Sequence, residues 1–332
     1  MKKLIYLAIA ATLAMVLIWA NGLLGSATAV ASDPLPNWND GEVKQGIIEF
    51  VARVTDPDSP DFVAPEDRIA TFDNDGTLWA EQPYVQLLFT IAGTEAIVAA
   101  DPALRSQEPY KSLLDPDFDY LTAEEDVLAD LLANIYANRT QAEYEAELQQ
   151  FFQTAVYPPF NVPLSEVTYL PMVELLGYLQ DNGFQTWICS GGGIDFMRQI
   201  SESYYGIPPQ QVIGTRIQKD WREHDGKMVI WRLPEITLVA NKEGKPIGIN
   251  LHIGKPPIFS AGNVRSGGDI AHLTYSQQQQ PSMQLMINHD DAEREFAYTE
   301  PDNASLEAAA ENGWTVVSMK DDWKTIFAFQ GS

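Results

Sequence analysis

Two aspartates one residue apart, Asp73 and Asp75, close the apolar run Ile69-Ala70-Thr71-Phe72, and Gly76-Thr77 follow at once. A stretch of β-type residues that stops at acidic side chains reads as a buried strand delivering carboxylates to the end of a sheet. Strand ends of open α/β sheets are where ligands bind. One-residue spacing on an extended backbone puts both carboxylates on the same side of the chain. Two such groups repel unless a proton or a cation sits between them. That arrangement suits a nucleophile and a general acid beside a divalent metal. An acidic turn after a strand is spelled the same way, so the pair needs support from elsewhere in the chain.

Three other stretches offer it. Ser190 with Gly191-Gly192-Gly193 follows a strand-like run; glycines leave backbone N–H groups open, and a helix starting there adds to an anion site. A plain strand–helix turn is the alternative reading. Lys245 stands at the start of a short helix before the next strand, where it can offset phosphate charge, with Lys242 and Lys255 as competing cations. Asn263 and Asp269 lie in a loop after that strand. Hard cations take oxygen ligands, and Mg²⁺ uses one or two carboxylates with waters and substrate. Asp269 is a ligand candidate and equally an N-cap for the helix beginning at Ile270.

The elements that must position these residues follow the chain. Residues 32–41 read as a polar tether, and Glu42 to Val54 has helical apolar spacing. Residues 80–159 read as a helical cap inserted after the first strand, with Thr122 and Thr140 as caps of two of its helices and Tyr157-Pro158-Pro159-Phe160 as the return linker. From Val167 the pattern alternates helix and strand. Ile194 to Tyr204 reads as one helix, and Val212 to Trp231 as a hairpin around Asp225-Gly226. Lys245 to Ile253 is a helix stopped by Gly254, and Pro257 to Ala261 the strand before Asn263. Glu81 and Gln82 read as a solvated helix face, with contact to substrate as the alternative; Asp195 and Arg198 read as a pair on one helix before a substrate role, and Asp290 with Glu293 as a capping box before catalysis. His224, His252 and His272 show no metal-ligand spacing. The expected fold class is α/β: a parallel sheet core from residues 32–79 and 160–332, with the helical cap over 80–159.

Composition limits the partners. The 332 residues are 45% hydrophobic, enough for a substantial core, and carry a formal charge of −25. Such a surface repels nucleic acid and anionic lipid, so an anionic substrate needs local positive charge or a metal. A single cysteine, Cys189, excludes an intrachain disulfide and a cysteine-cluster metal site. Lys2-Lys3, the apolar run Leu4 to Ala20 and the small-x-small site Ala29-Val30-Ala31 read as a secretory signal over residues 1–31. Cleavage near Ala31 would leave an exported protein, secreted or periplasmic, without stable membrane insertion. An uncleaved anchor is the competing reading.

Asp73-Asn74-Asp75-Gly76-Thr77, Ser190, Lys245 and the loop from Gly262-Asn263 to Asp269, in this order, resemble the four motifs of the haloacid dehalogenase (HAD) superfamily of phosphatases, and the cap position resembles its phosphoserine-phosphatase-like branch. The resemblance implies a Rossmann-like core and hydrolysis of a small phosphomonoester. It implies Asp73 as nucleophile through an aspartyl-phosphate, and Asp75 as acid and then base. Ser190, Gly191 and Lys245 would hold phosphoryl oxygens. Mg²⁺ would sit on Asp73, the Asp75 carbonyl, Asn263 and Asp269. The family usually has Asp where Asn263 stands. A dehalogenase of the same superfamily and a non-catalytic exported binding protein are the alternatives; Asp75 counts against the first, and Asn263 favours the second.

Overall fold

The computed structural model describes residues 33–108, 110–114, 133–265 and 267–331. The expected signal segment and most of the helix expected from Leu121 lie outside these residues.

Residues 35–41 are not a tether. Leu35 and Trp38 are buried, Trp38 packs edge-on against Trp323, and Asn37 N donates to Glu174. The apolar side chains of this segment override its polar and proline-rich composition. Helix α1 (Glu42–Thr55) then buries Ile47, Phe50, Val51 and Val54, at the spacing its sequence predicts. Strand β1 (Ile69–Phe72) is buried on both faces, as a central parallel strand must be.

After β1 come helix α2 (Val85–Ala100), helix α3 (Tyr110–Leu114), the short strand β2 (Arg139–Thr140) and helix α4 (Gln141–Thr154). Thr140 caps α4 as expected: its Oγ1 accepts from Glu143 N while the Glu143 carboxylate accepts from Thr140 N, a full capping box. The Pro-Pro segment is not a linear linker but the turn of a small hairpin, β3 (Val156–Tyr157) with β4 (Val162–Pro163). Phe160 at its tip packs against Phe296, Phe327 and Phe329.

The second half alternates as predicted. Helix α5 (Leu170–Asp181) leads into β5 (Gln185–Gly193), which includes the glycine run. The single helix expected after it is two short ones, α6 (Ile194–Arg198) and α7 (Ser201–Tyr205). Strands β6 (Val212–His224) and β7 (Lys227–Leu238) form the expected hairpin. Asp225 and Gly226 both have positive φ, 49° and 74°, as a two-residue primed turn demands. Helix α8 (Gly244–His252) follows, then β8 (Phe259–Asn263), α9 (Ile270–Gln277), β9 (Met283–Asn288), α10 (Ala304–Asn312) and β10 (Thr315–Ser318).

The main sheet has the order β10-β9-β8-β1-β5-β6-β7-β2. From β10 to β6 it is parallel; β7 and β2 add antiparallel partners. This is a Rossmann-like α/β sheet. After β1 the chain places β5 on one side of it and β8 on the other, so the end of β1 is a topological switch point, where a crevice opens. The block between β1 and α5 packs its aromatic residues over α6: Phe89 and Phe152 both contact Phe196, and Phe89 stacks on Tyr136.

Candidate active site

Register brings the motifs to one level. Phe72 of β1 lies opposite Ile188 of β5 and Ala261 of β8. Asp73 is one residue past that line; Ser190 and Asn263 are two past it on the flanking strands. Asp73 N donates to Ala261 O at 2.9 Å, which continues the ladder to the last residue before the turn. The chain then doubles back. Asn74 O accepts from Leu78 N at 2.8 Å, Gly76 N donates to Trp79 O at 2.9 Å, and Ala80 N donates to Val167 O at 3.0 Å. Gly76 has φ +70°, a conformation in which a side chain is strained.

Lys245 enters from the first turn of α8 and is the hub. Its Nζ lies 2.9 Å from Asp73 Oδ1 and 2.5 Å from Asp269 Oδ1. Asp269 Oδ2 accepts from Asn263 N at 3.1 Å, and Asp269 Oδ1 also faces His272 Nδ1 at 3.1 Å. The other ring nitrogen, His272 Nε2, is 2.7 Å from Thr71 Oγ1 on β1. The network ties β1, β8, α8 and α9 together. It also engages Asp269, the expected ligand and cap, on both carboxylate oxygens. Its two oxygens have partners in Lys245, His272 and the β8 backbone. Its side chain makes no capping bond to α9. Gly262 permits this packing, since a Cβ there would lie 2.3 Å from Asp269 Cγ.

Asp75 sits on the other side of the crevice. Its Oδ1 accepts from Trp79 Nε1 at 2.9 Å, and its Oδ2 faces Ser190 Oγ at 3.4 Å. Ser190 Oγ in turn accepts from Gly192 N at 3.2 Å. Gly193 N is taken by Gln86 Oε1 at 2.8 Å, from the first turn of α2. The glycine run belongs to the strand, with an irregular register between Cys189 and Gly193, and α6 is a single short turn of helix. Any anion binding beside Ser190 and Gly191 therefore rests on that strand end and not on a long helix dipole.

Asn263 Nδ2 lies 3.3 Å from Asp75 O and 2.8 Å from Glu81 Oε1. Glu81 is only 2% exposed, not the solvated helix residue its sequence position suggests. Tyr298 Oη donates to Glu81 Oε1, and Arg265 Nη1 is 3.5 Å from Glu81 Oε2. The Arg265 guanidinium lies over the Tyr84 ring at 4.3 Å. His289 Nε2 donates to Gly76 O at 2.7 Å, its Nδ1 faces Glu295 Oε2, and its ring stacks on Tyr298. Among these residues, Glu81, Gln86, Arg265, His272, His289 and Tyr298 carried no readable spacing. A faint signal did exist for Glu81: a Gly-Thr turn followed by the apolar residues Leu78, Trp79 and Ala80 implies that the chain returns to the core.

Other expected pairs form differently. Asp195 bonds Lys219 and Arg232 at 2.8 and 2.7 Å, while Arg198 Nε donates to Pro209 O. Asp290 accepts from Ser318 Oγ and Lys320 N, and no helix follows it; Asp291 makes the turn bonds to Glu293 N and Arg294 N. Lys255, one of the competing cations, is at the surface with Asp67.

The electrostatics separate the carboxylates. Burial, and then the Asp269 charge, push the Asp73 carboxyl well above the usual range, more than Lys245 offsets. Burial lifts Asp75 to about 6, with the Trp79 hydrogen bond pulling the other way and Glu81 pushing it up. Burial acts on Asp269 too, but Lys245 and His272 hold it well below the usual range. Lys245 is desolvated, yet the Asp269 and Asp73 charges raise its affinity for its proton. One lysine is thus shared unequally, with Asp269 as its main partner.

The oxygens near Asn263 fit a hard cation. Asp75 O and Glu81 Oε1 converge on one electropositive point, the Asn263 amide nitrogen, and Asp73 follows the last residue of β1. All are oxygen donors of the type Mg²⁺ takes. Among the described residues, no three His, Cys, Asp or Glu side chains form a metal cluster. A site here therefore draws on a carbonyl and an amide as well.

Sheet order, switch-point crevice and paired aspartates define a Rossmann-like α/β protein with its site at the end of β1. The haloacid dehalogenase-like hydrolase family matches residues 70–237, half of the chain, and the protein belongs to that family. The matched span contains Asp73, Asp75 and Ser190; Lys245, Asn263 and Asp269 lie beyond it. A functionally unknown protein from Anaerococcus prevotii has a similar fold (TM-score 0.52, 14% identity, 83% of this chain and 91% of that one). A protein of unknown function from Bordetella pertussis (TM-score 0.49, 18% identity) covers 75% of this chain and 97% of its own. A phosphoserine phosphohydrolase-like protein from Francisella tularensis (TM-score 0.34, 16% identity) covers 75% and 94%. No curated protein matches the chain.

Proposed function

We propose that this hydrolase is an exported, divalent-metal-dependent phosphomonoester phosphatase that works through an aspartyl-phosphate. The observation that supports it most is the division of labour at the end of β1: Asp73 bound to Lys245 at 2.9 Å, and Asp75 held apart on Trp79 and Ser190 with a proton affinity near 6. Asp73 attacks phosphorus as the bond to the leaving oxygen breaks. Asp75 gives its proton to that oxygen. In the second step water attacks the same phosphorus, Asp75 takes the water proton, and the Asp73–phosphorus bond breaks. Lys245 and Ser190 hold phosphoryl oxygens in both steps. Positioning and charge do most of the work in such transfers.

A nucleophile must be ionised, and Lys245 alone does not offset Asp73, Asp75, Glu81 and Asp269, even with Arg265 nearby. Mg²⁺ held by Asp73, the Asp75 carbonyl and Asn263 would supply the missing positive charge to the carboxylates and to the phosphoryl group. The substrate side is a pocket beside Gly191 and Gly193, lined by Gln86, Tyr136, Tyr144 and Arg232. The cap between β1 and the Ser190 strand supports the phosphoserine-phosphatase-like branch. Lys2-Lys3, the following apolar run and Ala29-Val30-Ala31 support export with cleavage near Ala31.

The test is hydrolysis of an aryl phosphate with and without Mg²⁺, in wild type and Asp73→Asn. Phosphate release that needs both the metal and Asp73 is expected. Its absence overturns the proposal. Halide release from a haloacid then indicates the dehalogenase, and no turnover at all indicates the binding protein that Asn263 favours.

A further inference from the structure

Asn263 brings no charge to the place where a carboxylate is expected, and a buried carboxylate from another part of the chain stands against it. Glu81 lies eight residues after Asp73, on the segment that returns from the Gly76 turn. Its Oε1 is 2.8 Å from Asn263 Nδ2, which is itself 3.3 Å from Asp75 O. From the charge and the geometry we infer that Glu81 is the displaced acidic ligand of the divalent cation, working as a pair with Asn263. The inference rests on the metal-dependent reading above.

Three features fit this role better than that of a structural ion pair. First, the two oxygens of Glu81 have separate neighbours. Oε2 faces Arg265 at 3.5 Å, beyond a good hydrogen bond, while Oε1 is turned to Asn263 and Tyr298. A carboxylate built only for Arg265 would pair with it closely through both oxygens. Second, the position is held on several sides: Tyr298 donates to it, His289 stacks on Tyr298 and bonds Gly76 O, and Ala80 N is fixed to Val167 O. Such supporting bonds orient a metal ligand before the metal arrives. Third, Gly76 clears the way. A Cβ at that residue would lie 1.8 Å from Asn263 Nδ2 and 2.5 Å from Glu81 Oε1. The donor nitrogen of Asn263 occupies the point on which Asp75 O and Glu81 Oε1 converge. A flip of the terminal group puts the amide oxygen there instead, and the cation then sits among the three oxygens. Glu81 then contributes the negative charge that Asn263 lacks, directly or through one bound water.

Mn²⁺ is the probe. Binding is read by the electron paramagnetic resonance signal of free Mn²⁺, with Mg²⁺ as competitor, for wild type, Asp73→Asn, Glu81→Gln, and Glu81→Gln combined with Asn263→Asp. Wild type is expected to bind, and Glu81→Gln to lose about 10- to 100-fold in affinity. The double variant, with its carboxylate moved back to 263, is expected to recover most of it. Recovery also shows that a chain carrying Glu81→Gln can fold. Tight binding by Glu81→Gln overturns the role of Glu81 and leaves the metal reading intact if Asp73→Asn binds weakly. Weak binding that Asn263→Asp does not recover overturns the exchange as well. A wild type that binds no Mn²⁺ overturns both readings.

Discussion

Lys245 and Asp269 form an ion pair at 2.5 Å in which each side chain is 2% exposed. They are 24 residues apart, joined through strand β8 and its loop. The pair exists because α8 and α9 pack beside the ends of β5 and β8, and because His272 and the Asn263 N–H hold the carboxylate on its other sides. The same ammonium group lies 2.9 Å from the Asp73 carboxylate.

Lys245→Met removes the shared cation and leaves Asp73 and Asp269 buried together. Truncating one partner of a buried pair costs about 3–5 kcal/mol. We expect a loss of this size in urea denaturation, together with loss of phosphate release. Lys245→Arg is expected to fold better than Lys245→Met but not to recover activity, because a planar fork does not replace a point charge between two carboxylates.

Asp75 sets a pH dependence. Burial raises its folded-state value to about 6, above that of the unfolded chain. The folded state therefore holds the proton more tightly, so this group's contribution is fully present below about pH 4 and is lost as pH rises through about 6. A shift of about two units corresponds to about 3 kcal/mol. Asp75→Asn is expected to flatten that decline in metal-free protein, measured by denaturation at pH 4 to 8. In catalysis, hydrolysis of an alkyl phosphate is expected to fall above about pH 6, where Asp75 has no proton to give. An aryl phosphate, whose leaving group needs little protonation, is expected to fall less, both with pH and in Asp75→Asn.

Gly76→Ala forces a side chain into the positive-φ turn and against Asn263 and Glu81. Strain of this kind costs about 1–3 kcal/mol. We expect a lower melting temperature and weaker Mn²⁺ binding than wild type.

Arg232 joins hairpin, cap and core. It donates to Asp195 Oδ2 at 2.7 Å, Gln141 Oε1 at 2.9 Å and Tyr136 O at 3.2 Å, and it lies 3.7 Å over the Tyr144 ring. Arg232→Ala leaves Asp195 with Lys219 alone and opens the pocket wall. The expected result is a stability loss of about 3 kcal/mol and a raised KM, with kcat for a small aryl phosphate changed less, because Arg232 does not contact Asp73 or Asp75.

The residues written into continuous stretches were legible in the sequence. The β1 run ending at Asp73 and Asp75, the Asp225-Gly226 hairpin, the Thr140 capping box and the helix opened by Lys245 each follow from periodicity, turn chemistry or capping, which act over a few neighbouring residues. The four motifs in order led to the expectation of a site at the strand ends. The tertiary structure alone decided which side chains share charges across that site. Asp269 goes to Lys245, Glu81 turns inward to Asn263, and His272 and His289 brace the β1 strand and turn, although none of these contacts has a sequence pattern. The reason is that ion pairing and desolvation depend on distance in space and on what else is buried nearby. The chain sets those only when β1, β5 and β8 are in register and the Gly76 turn has folded back against them.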